Sequence, residues 1–204
     1  MTGLTGLSVP TYLAFCAAAI ALILTPGPDT MYVLARGVQG RQSGIRSALG
    51  VATGVLFHTM AATLGLAALL RAAPVAYQVV KYAGAVYLVY LGISAIRNRE
   101  FDPQVETSPD GSFRRGVLVN ALNPKVALFF LAFLPGFAGN GPGTTERMAL
   151  LGATYAVLTA VYLCLVALAS RRAGAALESP RVSSRLSWVG GGVMVALGIG
   201  LAAE

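Results

Sequence analysis

The segment T-P-G-P-D-T at residues 25–30 interrupts a long apolar run, with YLAFCAAAIALIL at 12–24 before it and MYVLA at 31–35 after it. Proline and glycine are poor residues for a helix interior, and a carboxylate is costly among apolar groups. A second segment, N-A-L-N-P-K at 120–125, interrupts another apolar run that continues into VALFFLAFLPGF. Both segments predict a broken helix at the same kind of place. Because lipid cannot pair the freed backbone groups, such breaks must be buried in protein or line a wet cavity.

The composition predicts an all-α integral membrane protein. The chain has 204 residues, of which 56% are hydrophobic and 11% charged, and its mean hydropathy is +0.70. Ordinary soluble domains carry roughly 25% charged residues, and a transmembrane helix needs roughly 20 mostly apolar residues. Six such helices are predicted, at about 10–35, 46–70, 74–96, 116–138, 148–170 and 186–203. They leave almost no residues for a soluble domain.

Positive charge is concentrated between the predicted helices. Of the 15 Lys and Arg residues, eleven lie in the first, third and fifth predicted loops, at 36–46, 97–115 and 171–185. Three lie in the even-numbered loops, among them Lys81. Since basic loops stay in the cytoplasm, we predict that the odd-numbered loops are inside and both termini are outside. The net charge of +7 therefore indicates membrane orientation rather than a nucleic-acid partner.

The two halves of the chain resemble each other. YAGAVYLVYLGI at 82–93 and WVGGGVMVALGI at 188–199 are identical at five of twelve positions, and LGVATGVL at 49–56 resembles LGATYAVL at 151–158. A copy made of three helices must enter the membrane from the opposite side, which gives an inverted repeat of the kind found in transporters. We predict one transmembrane domain, 1–204, with a first repeat at about 10–96, a cytoplasmic loop at 97–115 and a second repeat at about 116–203.

Each break also contains the residues that start a helix. Asn123 can cap a helix and Pro124 suits its first position, and Asp29 before TMYVLA can cap in the same way. Each break would then point a half-helix N-terminus, with its partial positive charge, at the protein centre. Two registers of the repeat remain open: Pro28-Asp29 with Pro124-Lys125, or Thr25-Pro26 with Asn123-Pro124.

Asp29, His58 and Lys125 lie inside predicted spans, where a charge costs roughly 2.5–3.5 kcal/mol. Asp29 either caps the second half-helix or binds a substrate or proton, and the two roles are compatible. Lys125 either snorkels to the surface, pairs structurally or contacts substrate. His58 shares a helix face with Gly50 and Gly54, which permit close packing. That face is predicted to point inward, with His58 as a hydrogen-bonded core residue, a proton relay or a substrate contact.

Other chemistry is not indicated by the sequence. Cys16 and Cys164 each lie in an apolar run and form no metal-ligand or redox spacing. No nucleophile motif and no glycine-rich phosphate loop ending in Lys is present. We therefore predict no catalytic residue, no metal and no cofactor, and uphill transport would have to use an ion gradient.

Four segments together resemble the LysE/RhtB family of bacterial amino-acid exporters. They are TPGPDTMYVLARG at 25–37, the LG-x-x-x-G-x-x-x-H face at 49–58, KYAGAVYLVYLG at 81–92 and NPKVALFFLAFLP at 123–135. The resemblance is greatest to the branch that exports threonine, homoserine and homoserine lactone. It implies six hydrophobic segments, location in the inner membrane and proton-coupled export.

The predicted substrate site lies between the two breaks. The ammonium group of an amino acid would lie near Asp29 and the freed backbone carbonyls, and its carboxylate near the second half-helix, with Asp29 and then His58 as proton carriers. The predicted binding residues are Thr25, Pro26, Gly27, Pro28, Asp29, Asn123, Pro124 and Lys125. The alternatives are a passive channel for small solutes or ions and a non-transporting scaffold. Small amino acids, protons and lipid are the expected partners, and a homodimer is possible.

Overall fold

The computed structural model describes residues 6–25, 27–66, 74–97, 112–177 and 180–203. Every regular element in this part of the chain is helical, which confirms the predicted all-α class. Pro26 and most of the predicted loop 97–115 lie outside the described residues. The helices are α1 Val9–Leu24, α2 Pro28–Gln39, α3 Arg41–Met60 with a π-helical turn Ala61–Leu66, α4 Pro74–Arg97, α5 Ser112–Ala121, α6 Pro124–Leu128 with a π-helical turn Phe129–Phe133, α7 Leu134–Ala138, α8 Thr144–Leu177 and α9 Pro180–Ala203.

Both predicted interruptions break a helix. The chain bends by 56° between α1 and α2, and by 48° between α5 and the segment Pro124–Ala138. Among the described residues, Arg41–Gly65 and Thr144–Ser170 are long and apolar enough to cross a membrane, and each bent pair can add one more span. Helix α4 matches the third predicted span, and α9 contains the sixth but begins six residues earlier, at Pro180. The total of six crossings stays a prediction.

The two half-helices start in different ways. The Asn123 side chain caps α6 by accepting a hydrogen bond from the Lys125 N–H at 3.0 Å, and Pro124 takes the first helical position. The first residue of α2 is Pro28, so Gly27 is the N-cap and makes no side-chain cap. The expectation that Asp29 caps α2 is therefore wrong, because the helix begins one residue before it. The starts align Pro28 with Pro124 and Asp29 with Lys125, which is the first of the two registers.

Helix α3 packs against α5 along the predicted glycine face. A Cβ at Gly50 would lie 2.1 Å from the Phe113 carbonyl oxygen, and a Cβ at Gly54 would lie 2.7 Å from Asn120 Cβ. Both distances are too short for a real side chain, so only glycine permits this approach. The prediction that this face turns inward, carrying His58 with it, is confirmed.

Helices α4 and α9 also touch backbone to backbone. A Cβ at either Gly92 or Gly191 would lie 2.5 Å from the carbonyl oxygen of the other, and a Cβ at Gly198 would lie 2.7 Å from the Ala85 oxygen. Ala85 precedes Gly92 in α4, while its partner Gly198 follows Gly191 in α9, so α4 and α9 are antiparallel. In the sequence match of 82–93 with 188–199, Gly92 corresponds to Gly198 and Ala85 corresponds to Gly191. If each residue is replaced by its counterpart in the other repeat, the contact Gly92–Gly191 becomes the contact Gly198–Ala85. This supports the inverted repeat, which stays a prediction for the whole chain.

Adjacent glycines in α9 offer a matched test of this contact. Gly191→Ala is expected to lower the melting temperature of the purified protein by roughly 3–10 °C, because overpacking costs about 1–3 kcal/mol. Gly192 has open space around its Cβ position, so Gly192→Ala is expected to be neutral or slightly stabilising. Thermal unfolding in one detergent compares the variants, and equal melting temperatures would contradict the close contact between α4 and α9.

Helices extend into parts of the predicted loops that the structure describes. In the first, 36–46, only Gly40 separates α2 from α3, and α8 extends to Leu177. Lys81, counted above with the even-numbered loops, lies inside α4 as the predicted span 74–96 requires, and it is only 8% exposed. A charged residue therefore does not identify the end of a helix in this chain, because a long charged side chain can be buried within the protein. The inside and outside assignment of these segments stays a prediction.

Arg36 shows how such a charge is accommodated. It lies in the last turn of α2 and is 2% exposed. Its Nη1 donates to Gln39 Oε1 at 2.8 Å, and its Nη2 donates to Ser112 Oγ at the start of α5. Ser112 Oγ also bonds Ser43 Oγ of α3 at 2.9 Å, and the Ser112 carbonyl accepts from the Tyr32 hydroxyl at 2.9 Å. This Arg36 network therefore ties the ends of α2, α3 and α5 together.

Candidate functional site

The two breaks lie against each other, and each half-helix start bonds to the chain that precedes the other break. Lys125, next to the second break, donates from Nζ to the Thr25 oxygen at 2.9 Å and to the Leu22 oxygen at 3.3 Å. Asp29, next to the first break, accepts at Oδ2 from Asn120 Nδ2 at 2.9 Å. We call this region the break junction; it comprises Leu22, Thr25, Gly27, Asp29, Asn120, Asn123 and Lys125.

The lysine side of the junction satisfies the end of α1. The last carbonyls of a helix have no partner within the helix. Here the carbonyl oxygens of Leu22 and Thr25 accept hydrogen bonds from the Lys125 ammonium. Lys125 is 7% exposed, so the interpretation that it snorkels to the surface is wrong. A Cβ at Gly27 would lie 3.0 Å from Lys125 Nζ, so the glycine between the two prolines leaves the room that this ammonium occupies.

The aspartate side of the junction has unused hydrogen-bonding capacity. Asp29 is 8% exposed, and its Oδ1 is buried without a hydrogen-bond partner in the described part of the chain. Asn120 Oδ1 and Asn123 Nδ2 are buried and unpartnered within the same described residues. Buried polar atoms of this kind are rare and costly. The junction therefore offers two oxygen acceptors and one N–H donor to another group.

The charges at the junction are separated. The Asp29 carboxylate and the Lys125 ammonium do not pair directly, because each hydrogen-bonds to a different partner. Tyr155 of α8 is buried. The Tyr155 ring packs on Phe129 and Phe130, with ring centroids 5.3 Å apart in both cases. One side of the junction is thus charged and polar, and an aromatic cluster adjoins it.

His58 is connected to this site through one residue. Its Nε2 lies 2.9 Å from the Asn120 carbonyl oxygen. A carbonyl oxygen only accepts, so Nε2 carries the proton and donates it. The same oxygen accepts from the Asn123 N–H at 2.8 Å. Asp29 and His58, the two predicted proton carriers, therefore contact the side chain and the backbone of the same asparagine.

The structure brings most of the predicted site residues together and adds one. Pro28 and Pro124 start the two half-helices, while Pro26 lies outside the described residues. Asn120 was missed, although it opens the N-A-L-N-P-K segment, because its role depends on a partner in the other half of the chain. The carbonyls predicted to receive a substrate ammonium include that of Thr25, which here accepts from Lys125.

Removing the Asn120 side chain should destabilise the junction. Asn120→Ala is expected to lower the free energy of unfolding by about 1–3 kcal/mol, because it leaves the buried Asp29 carboxylate without its hydrogen bond. The His58 bond should persist, since it uses the Asn120 backbone. Thermal unfolding measures the loss, and Thr53→Ala, which removes an exposed hydroxyl bonded only within α3, is the control. An unchanged melting temperature in Asn120→Ala would argue against the bond to Asp29.

Comparison with known proteins gives consistent results over most of the chain. The LysE type translocator family model matches residues 20–204. An uncharacterized membrane protein of Vibrio cholerae is 26% identical over 201 residues, covering 96% of this chain and 98% of that protein. A leucine efflux protein of Salmonella typhimurium is 32% identical over 167 residues, covering 78% and 79%. The uncharacterized membrane protein YrhP of Bacillus subtilis is 30% identical over 164 residues, covering 74% and 78%. No solved structure matches the chain.

Proposed function

Because the chain belongs to the LysE type translocator family, we propose that it exports a small neutral amino acid or derivative across a bacterial inner membrane in exchange for protons. A translocator is a membrane transporter and not an enzyme. Similarity to leucine efflux proteins favours a substrate with an uncharged side chain. Threonine and homoserine, which the sequence resemblance implies, also have no charged side chain. Homoserine lactone, implied as well, has no free carboxylate, so Lys125 would matter less for it.

The hydrogen bonds that run from each half-helix to the chain before the other break support this proposal most directly. An amino acid presents an ammonium at one end and a carboxylate at the other. Asp29, whose Oδ1 is unpaired, and the freed backbone carbonyls of the first break suit the ammonium, and the unpaired Asn123 Nδ2 suits the carboxylate. The N-terminus of the half-helix that begins at Pro124 adds partial positive charge for the carboxylate. The aromatic rings of Phe129, Phe130 and Tyr155 give an uncharged side chain an apolar surface.

The Asp29 carboxylate would also carry the proton that is exchanged for the substrate. An ionised Asp29 attracts the substrate ammonium, and a proton arriving from outside neutralises it. The neutral acid holds the ammonium less strongly, so the substrate is released outward. His58 is the second candidate for this proton, because Asn120 connects it to Asp29. A potential of 100 mV supplies about 2.3 kcal/mol per charge moved, which sets the driving energy of each proton.

Counterflow in proteoliposomes tests the proposed function. Purified protein is reconstituted and challenged with leucine, threonine, homoserine, homoserine lactone and lysine, with and without a proton gradient. Saturable flux of a neutral amino acid that increases with the gradient is expected. Flux that neither saturates nor responds to the gradient would instead identify a passive channel. Absence of flux for every amino acid, in protein shown to be folded, would reject amino-acid export.

A further inference from the structure

The Lys125 ammonium occupies a position that suits any primary ammonium. We propose that the Leu22 and Thr25 carbonyls form a single ammonium site, and that Lys125 is a tethered competitor of the substrate's ammonium for it. That the competing ligand is an amino acid rests on the proposed function. That the site binds an ammonium rests on the geometry of the junction alone.

The partners of Lys125 Nζ have the chemistry of a cation site. Both are backbone carbonyls, at 2.9 and 3.3 Å, and they lie at the end of α1, where the helix dipole is negative. Thr25 and Lys125 are both buried. Asp29 makes no hydrogen bond to the ammonium, since its Oδ2 accepts from Asn120 and its Oδ1 has no partner among the described residues.

The site has room for one ammonium. The Cβ position of Gly27 lies 3.0 Å from Nζ and 3.5 Å from Cε of Lys125, so the lysine fills the space beside this glycine. A second ammonium cannot approach the same two carbonyls while Nζ is there, because two positive charges would share one buried site. Binding of a substrate ammonium therefore requires Lys125 to leave.

Displacement gives the transporter a means of selecting zwitterions. A displaced Lys125 ammonium needs a new partner, and the carboxylate of an amino acid arrives with the ammonium that displaces it. An amine without a carboxylate brings no such partner and leaves a buried charge unpaired. Wild-type protein should therefore bind leucine in preference to 3-methylbutylamine, which is leucine without its carboxylate.

Chemical rescue tests the site without requiring transport. Lys125→Ala removes the atoms that correspond to n-propylammonium, so n-propylammonium chloride is added to the purified full-length variant during thermal unfolding. We expect it to raise the melting temperature in a saturable manner, at concentrations at least about tenfold below those needed for wild type. The uncharged analogue 1-propanol should not reproduce the effect. Lys81→Ala, which truncates the other lysine, similarly buried in α4, is the matched control.

A second variant covers the case in which Lys125→Ala does not fold. Lys125→Met retains a long side chain but has no ammonium to compete, so 3-methylbutylamine should bind it at least about tenfold more tightly than it binds wild type. Equal amine affinity in Lys125→Met and wild type would overturn the competition. Equal stabilisation of Lys125→Ala and Lys81→Ala by n-propylammonium would overturn the ammonium site. Rescue by n-propylammonium together with an absence of amino-acid flux would retain the site and reject the proposed export.

Discussion

Asp29→Asn is expected to lower gradient-driven export of the preferred amino acid by about 10- to 100-fold, because hydrogen bonds to charged groups contribute about 1.5–3 kcal/mol each. The remaining flux should no longer respond to the proton gradient, since an amide cannot take up and release a proton near neutral pH. Initial rates in proteoliposomes, measured with and without the gradient, give both quantities.

The amide is a suitable replacement because it separates charge from folding. Its carbonyl can still accept from Asn120 Nδ2, so the bond that joins the two breaks can persist in Asp29→Asn. Its melting temperature should stay close to that of wild type. Glu146→Gln, at an exposed acid in the first turn of α8, is the control and should retain full coupled flux. Full gradient-dependent flux in Asp29→Asn would leave this aspartate a structural role and make His58 the proton carrier to test.

Arg36→Met is expected to cause the largest loss of stability, about 3 kcal/mol of unfolding free energy, seen as a fall of roughly 6–12 °C in melting temperature. Methionine can fill the space of the buried stem but leaves Gln39 Oε1 and Ser112 Oγ without the guanidinium donors. The start of α5 should then be held less firmly against α2. Thermal unfolding of the purified variant measures the effect.

Arg41→Met provides the control for this loss. Arg41 is the first residue of α3, close to Arg36 in sequence, but it is exposed. The two variants remove the same charge from the same part of the chain, so an effect of net charge alone would appear in both. A melting temperature for Arg36→Met equal to that of Arg41→Met would show that the Arg36 network contributes little to stability.

Several features that depend on local chemistry were predicted correctly from the sequence. Pro124 begins a half-helix as predicted, because proline lacks an N–H and fits only the first turn without losing a hydrogen bond. The other half-helix begins at Pro28 and not after the predicted Asp29 cap. The Asn123 cap also follows from neighbouring residues. The Gly50 and Gly54 face was recognised because a spacing of four residues places both on one side of a helix. A helix end marked only by charge was predicted less well, since α2 continues past Arg36 to Gln39.

The sequence by itself therefore determined that two apolar helices break, and that an acid, an amide and a lysine lie at the breaks. Only the tertiary structure decided how these groups pair. Asn120 reaches Asp29 across 91 positions of the chain, Lys125 reaches Thr25 across 100, and Arg36 reaches Ser112 across 76. No local propensity encodes bonds of this range, because they form only when helix packing brings the partners together. Lys125 therefore donates to backbone carbonyls and does not reach the membrane surface, and Asn120 contacts both Asp29 and His58.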